Sequence, residues 1–168
     1  MRPGDWHRLT SFACSTGAWY EDDVERFVQR RLRGHYESRK THIDISVIVL
    51  ATANDPDDIL AVGAHELDDQ VTDDGLYLEG SYLIVGAVGR DVQGRELDVE
   101  PFDDGRPVTV GLLLMETLID DLPERPGAVR AVVARDNARG LRLCERVGLL
   151  KERPDADDRF VQRLGRLA

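Results

Sequence analysis

The stretch from Val129 to Leu149 constrains the fold of this chain more than any other, because it reads as a buried strand that passes directly into a capped helix. Val129 to Ala134 is an apolar run of strand length, and Asp136-Asn137 brings side-chain oxygens to the place where the first helical amides lack partners. Leu141, Cys144 and Val147 then recur every three residues on one face. Gly148 follows as the residue best suited to the left-handed turn that ends a helix.

The rest of the chain alternates the two kinds of pattern. Trp6 to Cys14 alternates loosely and predicts a first strand, broken at Ser15-Thr16-Gly17. An amphipathic helix is predicted from the acidic start Glu21-Asp22-Asp23, with Val24, Phe27, Val28 and Leu32 as its apolar stripe and Arg26, Arg30, Arg31 and Arg33 projecting away. Ile43 to Ala51 and Ile59 to Leu67 predict a hairpin around the turn formers Asn54-Asp55-Pro56-Asp57-Asp58. Leu76 to Val88 predicts a central strand, with Gly80 and Gly86 marking bulges or close backbone approach. Arg90 to Gly105 is polar and shows no period. Val110, Leu113, Leu114, Thr117 and Leu118 form a second helical stripe that ends before Pro123. Leu149 to Arg153 and Arg159 to Leu164 predict a closing strand pair. The order of elements predicts a mixed α/β (α+β) fold, a sheet flanked by helices.

A chain of 168 residues, 42% of them hydrophobic, is long enough to bury one substantial core, so one domain over residues 1–168 is expected. Its 22 basic and 32 acidic residues leave a formal charge of -10, which repels phosphate backbones and anionic lipid and argues against nucleic acid as a partner. No stretch approaches the roughly 20 apolar residues that cross a bilayer. Met1-Arg2-Pro3-Gly4-Asp5 lacks an apolar signal core, which predicts a cytoplasmic protein with no membrane partner. Cys14 and Cys144 have no metal-ligand spacing, so reduced thiols and no metal site are expected.

The tract from Asn137 to Leu149 resembles the closing signature of the GNAT (N-acetyltransferase) superfamily, Asn-x-x-Ala-x-x-Leu-Tyr-x-x-x-Gly-Phe. Asn137, Gly140, Leu143, Cys144, Gly148 and Leu149 fall in register, with Cys144 standing at the Tyr and Leu149 at the final aromatic. The order of elements is similar to that family along nearly the whole chain. The resemblance implies a mostly antiparallel central sheet, acetyl-CoA as cosubstrate, and transfer of an acetyl group to an amine of a small molecule or protein. It also implies a phosphate-binding motif, Gln/Arg-x-x-Gly-x-Gly/Ala, at a helix start, where free N–H groups meet an anion. Two registers offer themselves. Gln93 to Asp98 puts Glu96 and Asp98 at the glycine positions, where negative charge opposes a pyrophosphate. Arg106 to Gly111 runs straight into the leucine-rich helix, with Thr109 at the first glycine. The second register makes Arg106, Thr109, Val110 and Gly111 the cofactor loop and leaves Arg90 to Gly105 as a lid or partner surface. By the same resemblance, Asn137 joins the cofactor residues, and the pantetheine arm pairs with strand backbone near Ala87 and Val88.

Three residues are candidates for proton transfer. Cys144 occupies the position of the family's leaving-group acid, its alternative role being a small buried hydrophobe. Glu79 flanks the central strand, from which such enzymes recruit a carboxylate base. His65 and its neighbour Glu66 lie within a strand, so only one of them can face a cleft, and His65 has the useful intrinsic pKa. The acidic runs at Asp68-Asp69, Asp73-Asp74 and Asp103-Asp104 suit a cationic amine or polyamine, or simply solvation. Ser11 to Cys14 followed by Val24 to Phe27 resembles the front end of GNAT toxins that acetylate aminoacyl-tRNA, but the net charge works against tRNA. The alternative function is a catalytically weak or inactive GNAT-fold module that binds a partner. Exposed edge strands make a homodimer possible.

Overall fold

The computed structural model describes residues 3–67, 70–71, 77–78, 80–99, 105, 107–123 and 128–166. Trp6, Leu9 and Phe12 recur every three residues, and the chain honours that period with a 3-10 helix over Pro3–Ser11 instead of the expected strand. Three residues per turn stack these side chains on one face, and all three are buried. The Thr10 hydroxyl donates to the His7 carbonyl at 2.6 Å and further closes the turn.

The acidic-start helix, α1 (Trp19–Arg30), begins ahead of Glu21 and is followed by α2 (Leu32–Arg39). Val28 and Leu32 are buried from this pair, as the apolar stripe requires, and Trp6 packs on Tyr36 with ring centroids 5.4 Å apart. The expected hairpin is present as β1 (Ile45–Ala51) and β2 (Ile59–Leu67), paired antiparallel. A short antiparallel pair, β3 (Gln70–Val71) and β4 (Tyr77–Leu78), precedes β5 (Gly80–Val88), so the central strand starts later than Leu76. Next come α3 (Val110–Asp120), β6 (Ala128–Ala134), α4 (Ala138–Arg146), β7 (Lys151–Pro154) and β8 (Phe160–Arg166).

Six strands form one sheet in the order β1-β2-β5-β6-β8-β7, with every neighbouring pair antiparallel except β5 and β6. Successive residues of β2 feed opposite layers, as a strand's alternation demands. Ala61 packs with Leu83, Leu114 and Leu118 under α3, whereas Val62 packs with Leu9, Val28 and Leu32 under α1 and α2. At Gly63 the helix lies flush on the sheet, since a Cβ there would stand 2.7 Å from Leu118 Cδ1. The bulge in β5 is at Ile84, the extra residue between Val85 opposite Ala64 and Leu83 opposite His65. It does not fall at Gly80 or Gly86, because the ladder stays regular at both. Gly86 would tolerate a Cβ at 3.8 Å from Met115 Sδ.

The parallel pair is short. Gly80 to Leu83 face Ala128 to Ala131, and beyond them β5 and β6 part. α4 fills the end of that gap. Asn137 caps it, its side-chain oxygen accepting the Gly140 N–H at 2.8 Å, and Gly148 ends it at φ +85°. Among the described residues no helix is long and apolar enough to cross a membrane.

Candidate active site

The parting of β5 and β6 opens a cavity of about 380 Å³ that reaches from the start of α3 through the sheet to the start of α1. At one end Thr109 caps α3, its hydroxyl accepting the Leu112 N–H at 3.2 Å while its carbonyl accepts the Leu113 N–H at 2.9 Å. The Glu96–Thr109 bridge turns the Val110 N–H toward the Arg95 carbonyl, and the Gly111 N–H keeps no partner among the described residues. Such a helix start favours an anion. The missing side chain at Gly111 matters here for packing, since a Cβ would lie 3.2 Å from Leu143 Cδ1 of α4 and 3.5 Å from Val88 Cγ2. Glycine lets α3, α4 and the end of β5 close on one another.

α4 contributes Arg139, Arg142 and Arg146 to the same wall. In a chain of net charge -10, three guanidinium groups on one cavity are a strong local reversal of sign. The loop after β5 brings Gln93, Gly94 and Glu96 beside them. Gln93 ties three elements together. Its Nε2 donates to the Cys14 carbonyl at 2.6 Å, and its Oε1 accepts from Arg139 at 2.9 Å. A weaker contact reaches the Val88 carbonyl at 3.4 Å.

The other end of the cavity is walled by Cys14, Tyr20, Glu21 and Val24. Carboxylates of α1 hold the preceding loop. Glu25 Oε2 accepts the N–H of Cys14 at 2.8 Å and of Ser15 at 2.9 Å, and Glu21 Oε2 accepts the N–H and hydroxyl of Thr16 at 2.7 and 2.6 Å. Burial, followed by the charges of Glu25 and Glu21, pushes the Cys14 thiol up to about 12.

Of the residues expected to hold the cofactor, Ala87, Val88, Thr109, Gly111 and Asn137 all meet at this cavity. The Val110 side chain is buried in the core under α3, and only its backbone belongs to the helix start. Both registers of the phosphate motif arrive at the cavity, because a bridge pairs Glu96 with Thr109 and the Leu97 N–H donates to the Val108 carbonyl at 2.7 Å. Arg106, the acidic runs and most of the residues between 99 and 107 lie outside the described residues, as does Glu79.

The remaining two proton-transfer candidates do not reach the cavity. Cys144 is 3% exposed, packed with the core that contains Val133 and Leu149, and burial pushes its thiol up to about 11. The period that put it on the apolar face of α4 also turned it away from the arginine face. His65 is 4% exposed, with Nε2 2.9 Å from Asp121 Oδ2 at the end of α3 and Nδ1 buried without a partner among the described residues. Glu66 faces the opposite layer, accepting from Arg39 at 3.2 Å and lying 3.1 Å from His35 Nε2. Sequence reasoning missed Tyr20, Glu21 and the three arginines, and weighed Gln93 only as the start of the register that Glu96 and Asp98 oppose. The arginines had a signal, their recurrence on one face of α4 opposite the apolar stripe.

Among the described residues no group of three or more His, Cys, Asp or Glu side chains could hold a metal ion. No protein-family model matches the sequence, and no curated protein matches it either. Solved structures do. PH1933 from Pyrococcus horikoshii OT3 matches with a TM-score of 0.64 at 14% identity, covering 100% of this chain and 94% of its own. PaiA N-acetyltransferase from Thermoplasma acidophilum, solved with coenzyme A, matches with a TM-score of 0.63 at 13% identity, covering 99% of this chain and 96% of its own. The ribosomal-protein-S18-alanine N-acetyltransferase of Escherichia coli matches with a TM-score of 0.52 at 19% identity, covering 99% and 89%. At these identities the likeness shows the fold, and the fold of this chain is that of the GNAT acetyltransferases.

Proposed function

We propose that this chain is an acetyl-CoA-dependent N-acetyltransferase acting on an amine of a small molecule or protein. The observation that carries the reading is the composition of one cavity, which joins an open helix start and three arginines at one end to Tyr20 and a fixed carboxylate at the other. Structures of the same fold bound to coenzyme A support the choice of cosubstrate.

The residues present fit such a group. The N–H of Gly111, with Arg139, Arg142 and Arg146, would hold its phosphates, and the backbone of Ala87 and Val88 would hold its amide-bearing arm. Bound acetyl-CoA supplies the activated thioester. An amine entering from the α1 side meets Glu21, whose Oε2 is fixed by Thr16 and whose Oε1 has no partner among the described residues. That carboxylate attracts the protonated amine and accepts its proton before acyl transfer. Ala87, Val24 and Cys14 line the cavity beside it.

Calorimetric titration with acetyl-CoA tests the reading. Saturable binding is expected, weakened at least about tenfold by Arg142→Glu, which is about 1.4 kcal/mol. Glu21→Gln is expected to retain binding and lose turnover in a screen of amine acceptors. Absence of binding at millimolar acetyl-CoA would overturn the reading in favour of a noncatalytic partner-binding module.

A further inference from the structure

β1 ends the six-stranded sheet, so one side of its backbone faces away from β2. Among the described residues no strand pairs with that side. Open edges usually carry charge or proline that discourages further pairing. β1 carries neither, reading Ile45-Ser46-Val47-Ile48-Val49-Leu50-Ala51. It is also apolar on both faces, with Ile48 and Leu50 against the layer under α3 and Val47 and Val49 against the layer under α1 and α2.

The two ends of the strand differ in charge. Before it, Arg39, Lys40 and His42 line an open depression of about 530 Å³ together with Thr41, Ile43, Leu67 and one carboxylate, Asp44. After it, the hairpin turn exposes Asp55, Asp57 and Asp58. Internal ion pairs engage part of this charge, Arg39 with Glu66, Lys40 with Glu37 and Asp57 with Arg8. Asp58 has no ion-pair partner among the described residues.

We propose that β1 is the interface between two copies of this chain, paired antiparallel about a two-fold axis, with the acidic turn of one protomer seated at the basic depression of its partner. Centring the axis on Ile48 sets Ile45 opposite Ala51, Ser46 opposite Leu50 and Val47 opposite Val49. Opposed residues point to the same side of a sheet, so both apolar layers continue across the axis. Farther out, Asp44 meets Thr52, and the turn that holds Asp57 and Asp58 lies beside Arg39 and Lys40. A parallel pairing would instead bring the two acidic turns together. The antiparallel one lets chains of net charge -10 meet along an uncharged strand and exchange opposite charges at its ends.

Sedimentation of the full chain at an ionic strength of about 0.15 M, with hydrogen exchange at low and high protein concentration, tests this. A concentration-dependent dimer is expected, with β1 amides exchanging more slowly as the dimer fills. Asp58→Lys alone or Lys40→Glu alone should weaken association about tenfold or more, and the double variant should recover most of the loss because each contact is then swapped. Both side chains are exposed, so each variant should keep the parent circular dichroism spectrum. A monomer up to several hundred micromolar overturns the proposal. So does a dimer indifferent to both reversals, or one that leaves β1 exchange unchanged.

Discussion

Replacing Glu25 with alanine isolates what one carboxylate oxygen contributes to the N-terminal wall of the cavity. Oε2 accepts two backbone N–H groups, from Cys14 at 2.8 Å and Ser15 at 2.9 Å, both part-buried. A hydrogen bond to a charged group contributes about 1.5–3 kcal/mol, and taking the low end for each and allowing water to recover part leaves a loss of about 2 kcal/mol. With a urea m-value of about 2 kcal/mol/M, the unfolding midpoint should fall by about 1 M. Glu25→Gln keeps an acceptor in place and should lose about half as much. A second signal accompanies the first. Burial and then the charge of Glu25 hold the Cys14 thiol up at about 12, so removing that charge should lower it and speed alkylation at a fixed alkaline pH. A midpoint shift in the alanine variant below about 0.2 M, or a glutamine variant as damaged as alanine, would refute the reasoning.

Three further outcomes are expected. At Gly165 a Cβ would stand 2.7 Å from the Gly148 carbonyl oxygen, a backbone atom, so Gly165→Ala should destabilise by about 2–3 kcal/mol by thermal unfolding, whereas Gly148→Ala, strained at φ +85° but in open space, should lose only about 1–2 kcal/mol. The Asp121 carboxyl is pushed up by burial, but the hydrogen bonds from Ser46 and His65 and the charge of His65 outweigh this and hold it below its ordinary value. A pKa depressed on folding stabilises above the unfolded value of about 3.9 and is lost as pH falls through the folded one, so Asp121→Asn should flatten the stability–pH curve in that acid window, and an unchanged slope would count against the pairing. Cys144→Ala should lose about 1–2 kcal/mol of stability yet bind acetyl-CoA as the parent does, and a folded variant without binding would return Cys144 to the site.

The parts of this fold that could be read from sequence are those in which one period and one punctuation mark agree. Asn137 to Gly148 reads as a capped and stopped helix because each local signal needs only its neighbours, and the hairpin through Asn54 to Asp58 is legible for the same reason. Pro3 to Ser11 misled because a spacing of three imitates loose alternation over a few residues, and only the sheet, which has no place for that segment, decides between them. The expected cofactor contacts at Ala87, Val88, Thr109, Gly111 and Asn137 gathered because the chain order around the parted strands sets them. Cys144 and His65 did not join them, because whether a residue faces a core or a cavity depends on what packs opposite. Cys144 meets Val133 and Leu149, and His65 meets Asp121, neither of which its own element reveals.

The short seam between β5 and β6 has a mechanical consequence. The sheet is two three-stranded ribbons, β1-β2-β5 and β6-β8-β7, laced together by ladder pairs over Gly80–Leu83 and Ala128–Ala131 alone. Arg130 lies over the Tyr82 ring at 4.4 Å and stiffens that lacing. The assembly works as a caliper whose pivot is the seam and whose jaws open at Val88 and Ala134. A ligand between the jaws would touch both ribbons at once, and the outer edges, β1 on one side and β7 on the other, are the far ends of the two arms.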